Sequence, residues 1–100
     1  MNKHFVLISL DSKEGDLTER LRRLLDRAID WIELTPNSWL LWTSTSSNGW
    51  LKRLKASEIS FENAFIIEVN PADRAGVMPD EVWKFIRNRN GRPAIIQPTG

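Results

Sequence analysis

The sequence predicts one small α/β domain that spans residues 1–100, and three observations lead to that prediction. Short apolar runs rich in β-branched and aromatic residues alternate with stretches whose apolar residues recur at helical spacing. Hydrophobic residues make up 41% of the chain and charged residues 27%, which is the balance of a folded protein rather than a disordered one. One hundred residues suffice for a single hydrophobic core, with little to spare.

The first strand is predicted at residues 5–10, FVLISL, and Asp11 follows directly at its end. Side chains alternate along a strand, and both faces of this one are apolar for most of its length, so other elements must cover each face. Open α/β sheets place ligand-binding groups where a strand leaves the sheet, which is the position of Asp11. The alternative is that Asp11 only begins the turn and helps to cap the next helix.

A long amphipathic helix is predicted from Asp16 to Glu33. Its apolar residues recur at three- and four-residue spacing and would form one stripe facing the core. Asp16 and Glu19 fit a capping box at its start. Glu19 and Arg23 are opposite charges four residues apart, which supports an exposed helical face. We therefore attribute the arginines of this helix to its solubility and not to a binding site.

The remaining elements follow Pro36, which ends the first helix because proline lacks a backbone donor. They are a strand at 38–43, a short amphipathic helix around 50–55, a strand at 63–69, a helix that begins at Pro79 and stops at Asn90-Gly91, and an extended piece at 93–98 that its flanking prolines confine to a sheet edge.

Two tryptophans, Trp39 and Trp42, lie on opposite faces of the second predicted strand. Large aromatic rings this close together can form a platform on which bases or a ligand stack. The alternative, which we favour, is that they fill the core and a dimer contact, because aromatic rings dominate burial in a small domain. Both residues are therefore predicted to contribute to an interface.

Cations cluster at two places, although the net charge of the chain is only +1. Nucleic-acid phosphates attract such clusters through counterion release. The alternative is a solvated helix face, since cations also favour the negative pole of a helix. The candidate nucleic-acid-binding residues are Lys52, Arg53, Lys55, Arg87, Arg89 and Arg92.

Composition excludes several chemistries. The chain has no cysteine, so disulfides, thiolate metal sites and a cysteine nucleophile are excluded. Its only histidine, His4, precedes the first strand at the end opposite Asp11, which argues against zinc and against a Ser-His-Asp hydrolase. No apolar run approaches the ~20 residues that a membrane span needs. We therefore expect a mature cytoplasmic protein with no membrane partner.

The predicted order is strand, long helix, strand, short helix, strand, helix, with a carboxylate closing the first strand. This order looks like a ferredoxin-like fold, an α+β sandwich with a mainly antiparallel sheet and helices on one face, here with an extra C-terminal helix. More narrowly, the chain resembles the Cas-two-like group of small CRISPR-associated adaptation proteins and their relatives, the SinR-like and virulence-associated D proteins. The segments Leu7-Ile-Ser-Leu-Asp11, 38–43 and 65–69 carry this resemblance, which covers roughly residues 3–70.

The resemblance implies a homodimer that binds DNA or RNA. In some members of the group a metal-dependent nuclease activity rests on the aspartate that matches Asp11, which is thereby the candidate catalytic residue and metal ligand. A single carboxylate with main-chain oxygens and water suits Mg²⁺, and a symmetric dimer would bring two such groups together.

This chain departs from the group in two respects. It lacks an arginine-rich segment after the first strand, and it adds a helix at Pro79, so whether it is an enzyme stays open. A dimer also follows from strands with two apolar faces, unless the helix at Pro79 covers the second face. The alternative function is a non-catalytic protein-protein interaction module whose partner docks on the tryptophan-bearing surface.

Overall fold

The computed structural model of the chain describes residues 2–12 and 18–90. Within these ranges the chain order is β1 (His4–Ser12), α1 (Glu19–Leu25), β2 (Asp30–Thr35), β3 (Ser38–Thr43), α2 (Ser47–Ala56), β4 (Phe61–Val69) and α3 (Asp80–Asn90). The chain divides into two compact units. The first unit, Met1–Val69, holds every strand just named together with α1 and α2, and the second, Asn70–Gly100, holds α3.

The strands form one open antiparallel sheet in the order β2-β3-β1-β4. β1 is central: Phe5 pairs with Trp42 of β3 on one side and with Val69 of β4 on the other. Among the described strands, β2 and β4 are therefore the two edges of the sheet. The protein is a mixed α+β structure, and the strands predicted at 5–10, 38–43 and 63–69 are confirmed as β1, β3 and β4.

The hydrophobic core of the first unit lies between one face of the sheet and the two helices α1 and α2. Residues of β1 and β3 that alternate along each strand supply the sheet side of this core, because successive side chains point to opposite faces. The main contributors are Val6, Ile8, Leu10, Trp39 and Leu41 from the sheet, Leu21, Leu24 and Leu25 from α1, and Trp50 and Leu54 from α2. Helices α1 and α2 therefore share one layer on the same face of the sheet.

The prediction of one helix from Asp16 to Glu33 is wrong. α1 ends at Leu25, and residues 30–35 are β2, which forms a hairpin with β3 through the turn at Pro36 and Asn37. Thr35 and Ser38 flank this turn, and their hydroxyl oxygens lie 2.7 Å apart in a hydrogen bond. Pairing with β3 outweighs the helical spacing of the apolar residues, because local pattern is weaker than tertiary contact.

The start of α1 also differs from the predicted capping box. The N-cap is Thr18, whose Oγ1 accepts a hydrogen bond from the backbone N–H of Leu21 at 3.2 Å. Asp16 lies outside the described residues. The predicted pair of Glu19 and Arg23 is confirmed, with Nε and Oε2 3.7 Å apart.

In the second unit, α3 confirms the helix predicted after Pro79. Asp80 and Glu81 occupy its first turn, where the positive pole of the helix dipole stabilises negative charge. The Asp80 carboxylate also forms an ion pair with Lys84 at 3.4 Å. Its side chains Val82, Phe85 and Ile86 are buried. The extended piece predicted at 93–98 lies outside the described residues.

Candidate functional site

Asp11 is exposed near the end of β1, opposite Asn63 of the edge strand β4. The side-chain amide of Asn63 donates to Oδ2 of Asp11 at 3.5 Å, and the strand register shifts between Asp11 and Ser12. Leu10, the preceding residue, points into the core. By alternation, the Asp11 carboxylate lies on the face of the sheet opposite α1 and α2.

A metal ion at Asp11 would rely on few protein ligands. In the part of the chain that the structure describes, no group of three or more His, Asp or Glu side chains could hold a metal ion together. Mg²⁺ accepts water and main-chain oxygens readily, so a single carboxylate is chemically compatible with it. Such an ion at Asp11 would take its other ligands from water, from carbonyl groups or from a second copy of the chain.

The two tryptophans predicted to form an interface lie in different environments. Trp39 is only 2% exposed and belongs to the core beneath α1 and α2. No described residue accepts a hydrogen bond from its buried Nε1. Trp42 is half-buried, and its ring centroid lies 4.8 Å from that of Phe5. Only Trp42 therefore retains surface that a partner could contact.

Two apolar side chains on β4 are exposed instead. Phe65 is 60% exposed and Ile67 39% exposed, whereas their neighbours Ala64 and Ile66 pack against the core. The sequence predicts that Phe65 and Ile67 share one face of a strand, but it does not predict that this strand is an edge. Phe65 and Ile67 alternate with these neighbours and so lie on the face of the sheet opposite α1 and α2, where they pair with Ser9 and Leu7 of β1.

The cations of α2 differ in their surroundings. Lys52 and Lys55 are exposed, and neither forms an ion pair with a described carboxylate. Arg53 is half-buried, and its Cζ lies 4.8 Å from the centroid of the fully buried Trp50 ring. Its Nη1 is buried and has no hydrogen-bond partner among the described residues.

A further cation, Arg27, lies just after the end of α1. The sequence predicted that the arginines of this region only make the helix soluble. Arg27 is exposed just beyond this helix and has no described carboxylate partner. The pKa of Arg53 is lowered, first by burial and then by the positive charge of Arg27. The charge of Arg27 therefore acts on Arg53 of α2. We call Arg27, Lys52, Arg53 and Lys55 the helix-layer cations.

The second predicted cluster belongs to α3. Arg89 lies over Phe85, with its Cζ 4.2 Å from the ring centroid, and Nη1 donates to the Phe85 carbonyl oxygen at 3.4 Å. Arg87 is half-buried on the same helix, and Arg92 lies outside the described residues. Arg89 is therefore held against its own helix.

Comparison of the chain with protein-family models, curated proteins and solved structures found no significant match. The resemblance to the Cas-two-like group therefore stays a prediction. Among the described residues, no helix has both the length and the apolar character needed to cross a membrane.

Proposed function

We propose that the chain is a small, cytoplasmic, nucleic-acid-associated protein of the Cas-two-like type with a ferredoxin-like fold. The order β-α-β-β-α-β of the first unit supports this fold, as does the sheet order β2-β3-β1-β4. Function cannot follow from the fold alone, because ferredoxin-like domains serve many roles. Support for the function comes from charge.

The observation that carries the proposal is the set of helix-layer cations, none of which forms an ion pair with a described carboxylate. Cations without carboxylate partners create a positive field that attracts phosphates, and counterions are released when the phosphates bind. By contrast, Arg23 and Lys84 each have a carboxylate partner within their own helix. The unpaired cations are the proposed contacts to DNA or RNA.

Asp11 belongs to the proposal as the residue that would hold Mg²⁺ if the protein hydrolyses nucleic acid. Its carboxylate lies on the face of the sheet opposite α1 and α2. Nucleic acid that binds the helix-layer cations would thus not be presented to Asp11 of the same subunit. The proposed function is therefore binding, and hydrolysis would require a second copy of the chain.

Homodimerisation is proposed through β4. Phe65 and Ile67 place exposed apolar surface on an edge strand, and apolar surface of this kind is stabilised when a partner covers it. A symmetric dimer would also place a second helix layer in the assembly, which enlarges the surface available to a long nucleic acid.

The proposed function is tested by measuring the binding of labelled DNA and RNA by fluorescence anisotropy at low salt. The variant Lys52→Gln/Lys55→Gln is expected to weaken binding, because two unpaired cations are lost. Arg23→Gln/Lys84→Gln is the matched control, since it removes the same charge from residues that already have carboxylate partners. Equal weakening by both variants, or no binding of either nucleic acid by the wild-type protein, would eliminate the proposal.

A second candidate function is a non-catalytic protein-protein interaction module, and the exposure of Phe65 and Ile67 favours it. Its partner would contact these side chains and the accessible part of Trp42. This function predicts that the protein does not bind nucleic acid at low salt, and that Asp11→Ala leaves association with a partner unchanged. Salt-sensitive binding of DNA or RNA would reject it in favour of the first function.

A further inference from the structure

The outer edge of β4 has the features of a strand edge that accepts another strand. β4 is nine residues long, and Phe61–Val69 contains neither proline nor lysine, the residues that natural sheets place on exposed edges to prevent pairing. Its register with β1 is regular over residues 63–69. β2, the other edge among the described strands, has six residues and an irregular register between Glu33 and Thr35. β4 is therefore the edge better suited to pairing.

The hydrogen bonds of the central strand determine which backbone groups of β4 point to this edge. The backbone N–H of Leu10 donates to the carbonyl oxygen of Asn37, just before β3, at 2.8 Å, so Leu10 faces β3. Successive residues of a strand bond to opposite neighbours, so Ser9 faces β4, where it pairs with Phe65. The same alternation along β4 turns a set of N–H and C=O groups away from β1 and toward the outer edge, those of Ala64, Ile66 and Glu68.

We propose that a second copy of the chain pairs its β4 antiparallel with this edge, with the two-fold axis at Ile66. The inference rests on the proposed homodimer and specifies how its two chains pair. Ile66 exchanges both backbone hydrogen bonds with Ile66 of the other copy, and Ala64 of each copy does so with Glu68 of the other. All of the edge-facing groups just named then have backbone partners.

Charge and hydrogen bonding favour this register over its neighbours. Opposite residues in a sheet lie on the same face, so the nearest alternatives place the axis on the residue before or after Ile66. An axis on the residue before it sets Glu62 opposite Glu68 of the other copy, and like charges in direct opposition destabilise a sheet. An axis on the residue after it sets Ala64 opposite Asn70, which lies beyond the end of β4. The axis at Ile66 avoids both costs.

The exposed apolar side chains of β4 fit the same register. Phe65 of each copy lies opposite Ile67 of the other in a non-hydrogen-bonded pair, where side chains approach most closely. An aromatic ring opposite a β-branched side chain stabilises a sheet, and Phe65 and Ile67 are 60% and 39% exposed without such a partner. The two-fold axis is perpendicular to the sheet, so α1 and α2 of both copies lie on one face of the continuous sheet. One long nucleic acid can then contact both helix layers.

Single cysteines test the register, because the chain has no cysteine of its own. Ala64→Cys and Glu68→Cys proteins are mixed under a mild oxidant, and disulfide formation is followed by non-reducing electrophoresis. In the proposed pairing the two new thiols lie on Cα atoms about 5.5 Å apart, within disulfide reach. Two copies of one variant place their thiols about 13 Å apart, which is too far. The mixture should therefore cross-link about tenfold faster or more than either variant alone.

The matched control is a mixture of Glu62→Cys and Glu68→Cys, which reports the register one residue earlier and should cross-link no faster than either variant alone. Circular dichroism confirms that each variant is folded. A second measurement uses no cysteine: Glu68→Pro removes an edge-facing N–H but no bond to β1, so it should give a monomer by light scattering. Glu68→Gln, which keeps that N–H, should stay dimeric.

The outcomes separate the pairing from the dimer and from nucleic-acid binding. Fast cross-linking confined to the Ala64→Cys and Glu68→Cys mixture supports the pairing. If the wild type is a dimer but the control mixture cross-links as fast, or if Glu68→Pro stays dimeric, the pairing is refuted and the dimer is not. A monomeric wild type refutes both. Nucleic-acid binding by the wild type is measured separately, so its presence or absence tests the proposed function whichever of these results is obtained.

Discussion

Trp39 and Trp50 show how two residues of the same type and burial can differ in energy. Both rings are almost completely buried, at 2% and 0% exposure. Nε1 of Trp50 donates to Oγ1 of the buried Thr43 at 3.3 Å, whereas Nε1 of Trp39 has no described acceptor. A buried donor stabilises the fold only when it has a partner, so the indole N–H is favourable in Trp50 and costly in Trp39.

The first prediction compares Trp39→Phe with Trp50→Phe. Both changes leave an aromatic ring and create a similar cavity, but the first removes an unpaired N–H and the second a paired one. We expect Trp50→Phe to lower the free energy of unfolding by about 1 kcal/mol more than Trp39→Phe does. Urea unfolding followed by circular dichroism measures the difference. Equal losses would show that the hydrogen bond to Thr43 contributes nothing.

At the residue scale, the sequence predicts which side chains are charged but not which groups those side chains contact. It identifies Lys52, Arg53 and Lys55 as a basic cluster. It does not show that the Arg53 guanidinium lies on Trp50, although these residues are three apart on a helix and therefore neighbours, which is the signal that could have found the contact. The contribution of Arg27 depends on how α1 and α2 share a layer, which no local spacing specifies.

At the element scale, the N-terminus of α2 is built around a close approach at Gly49. Ser46 is the N-cap, and its Oγ accepts from the backbone N–H of Gly49 at 3.0 Å. A Cβ added at Gly49 would come within 2.7 Å of Cγ2 of Thr45. A side chain at position 49 would therefore collide with Thr45, which favours glycine there although alanine has the higher helix propensity.

The second prediction follows from this contact. Gly49→Ala should not stabilise the wild-type protein, because the new methyl group collides with Thr45. In a Thr45→Ser background, which removes Cγ2, the same change should raise the free energy of unfolding by about 0.5 to 1 kcal/mol. A double-mutant cycle analysed by urea unfolding gives the coupling. The same effect of Gly49→Ala in both backgrounds would contradict the steric explanation.

The hairpin of β2 and β3 shows why one element could not be predicted from the sequence pattern. The apolar residues before Pro36 have helical spacing, yet Trp31 and Ile32 pair with Leu41 and Leu40 of β3. Their β-propensity was a competing signal. Residues 30–35 could form a helix or a strand from their own pattern. They form a strand because β3 lies beside β1 and offers β2 a partner. The strands without a competing pattern were predicted with bounds within a few residues.

At the scale of the whole molecule, the third prediction concerns assembly. Phe65 and Ile67 are proposed to lie in a homodimer interface, so Phe65→Ser/Ile67→Ser should shift the protein to a monomer. Val77→Ser is the control, since Val77 is 91% exposed and lies outside β4. Size exclusion with light scattering at micromolar concentration measures the mass. A monomeric wild-type protein, or a dimer unaffected by the double change, would refute the dimer through β4.

The function depends on the whole molecule in a way that the sequence pattern alone does not reveal. Asp11 was predicted as the centre of the site because it ends the first strand. The sheet instead separates its carboxylate from the helix-layer cations, which lie on the opposite face. That separation arises from the alternation of β1 together with the placement of both helices on one face. The proposed function is therefore the binding of nucleic acid through the helices, without hydrolysis by Asp11 of the same subunit.

The salt dependence of nucleic-acid binding tests this central claim most directly. The logarithm of the association constant for duplex DNA should fall linearly with the logarithm of salt concentration, with a slope proportional to the phosphates contacted. We expect Lys52→Gln/Lys55→Gln to reduce the magnitude of that slope by about 1 to 2, and Arg23→Gln/Lys84→Gln to leave it unchanged. A slope near zero for the wild type, or the same slope for the wild type and both variants, would contradict the account.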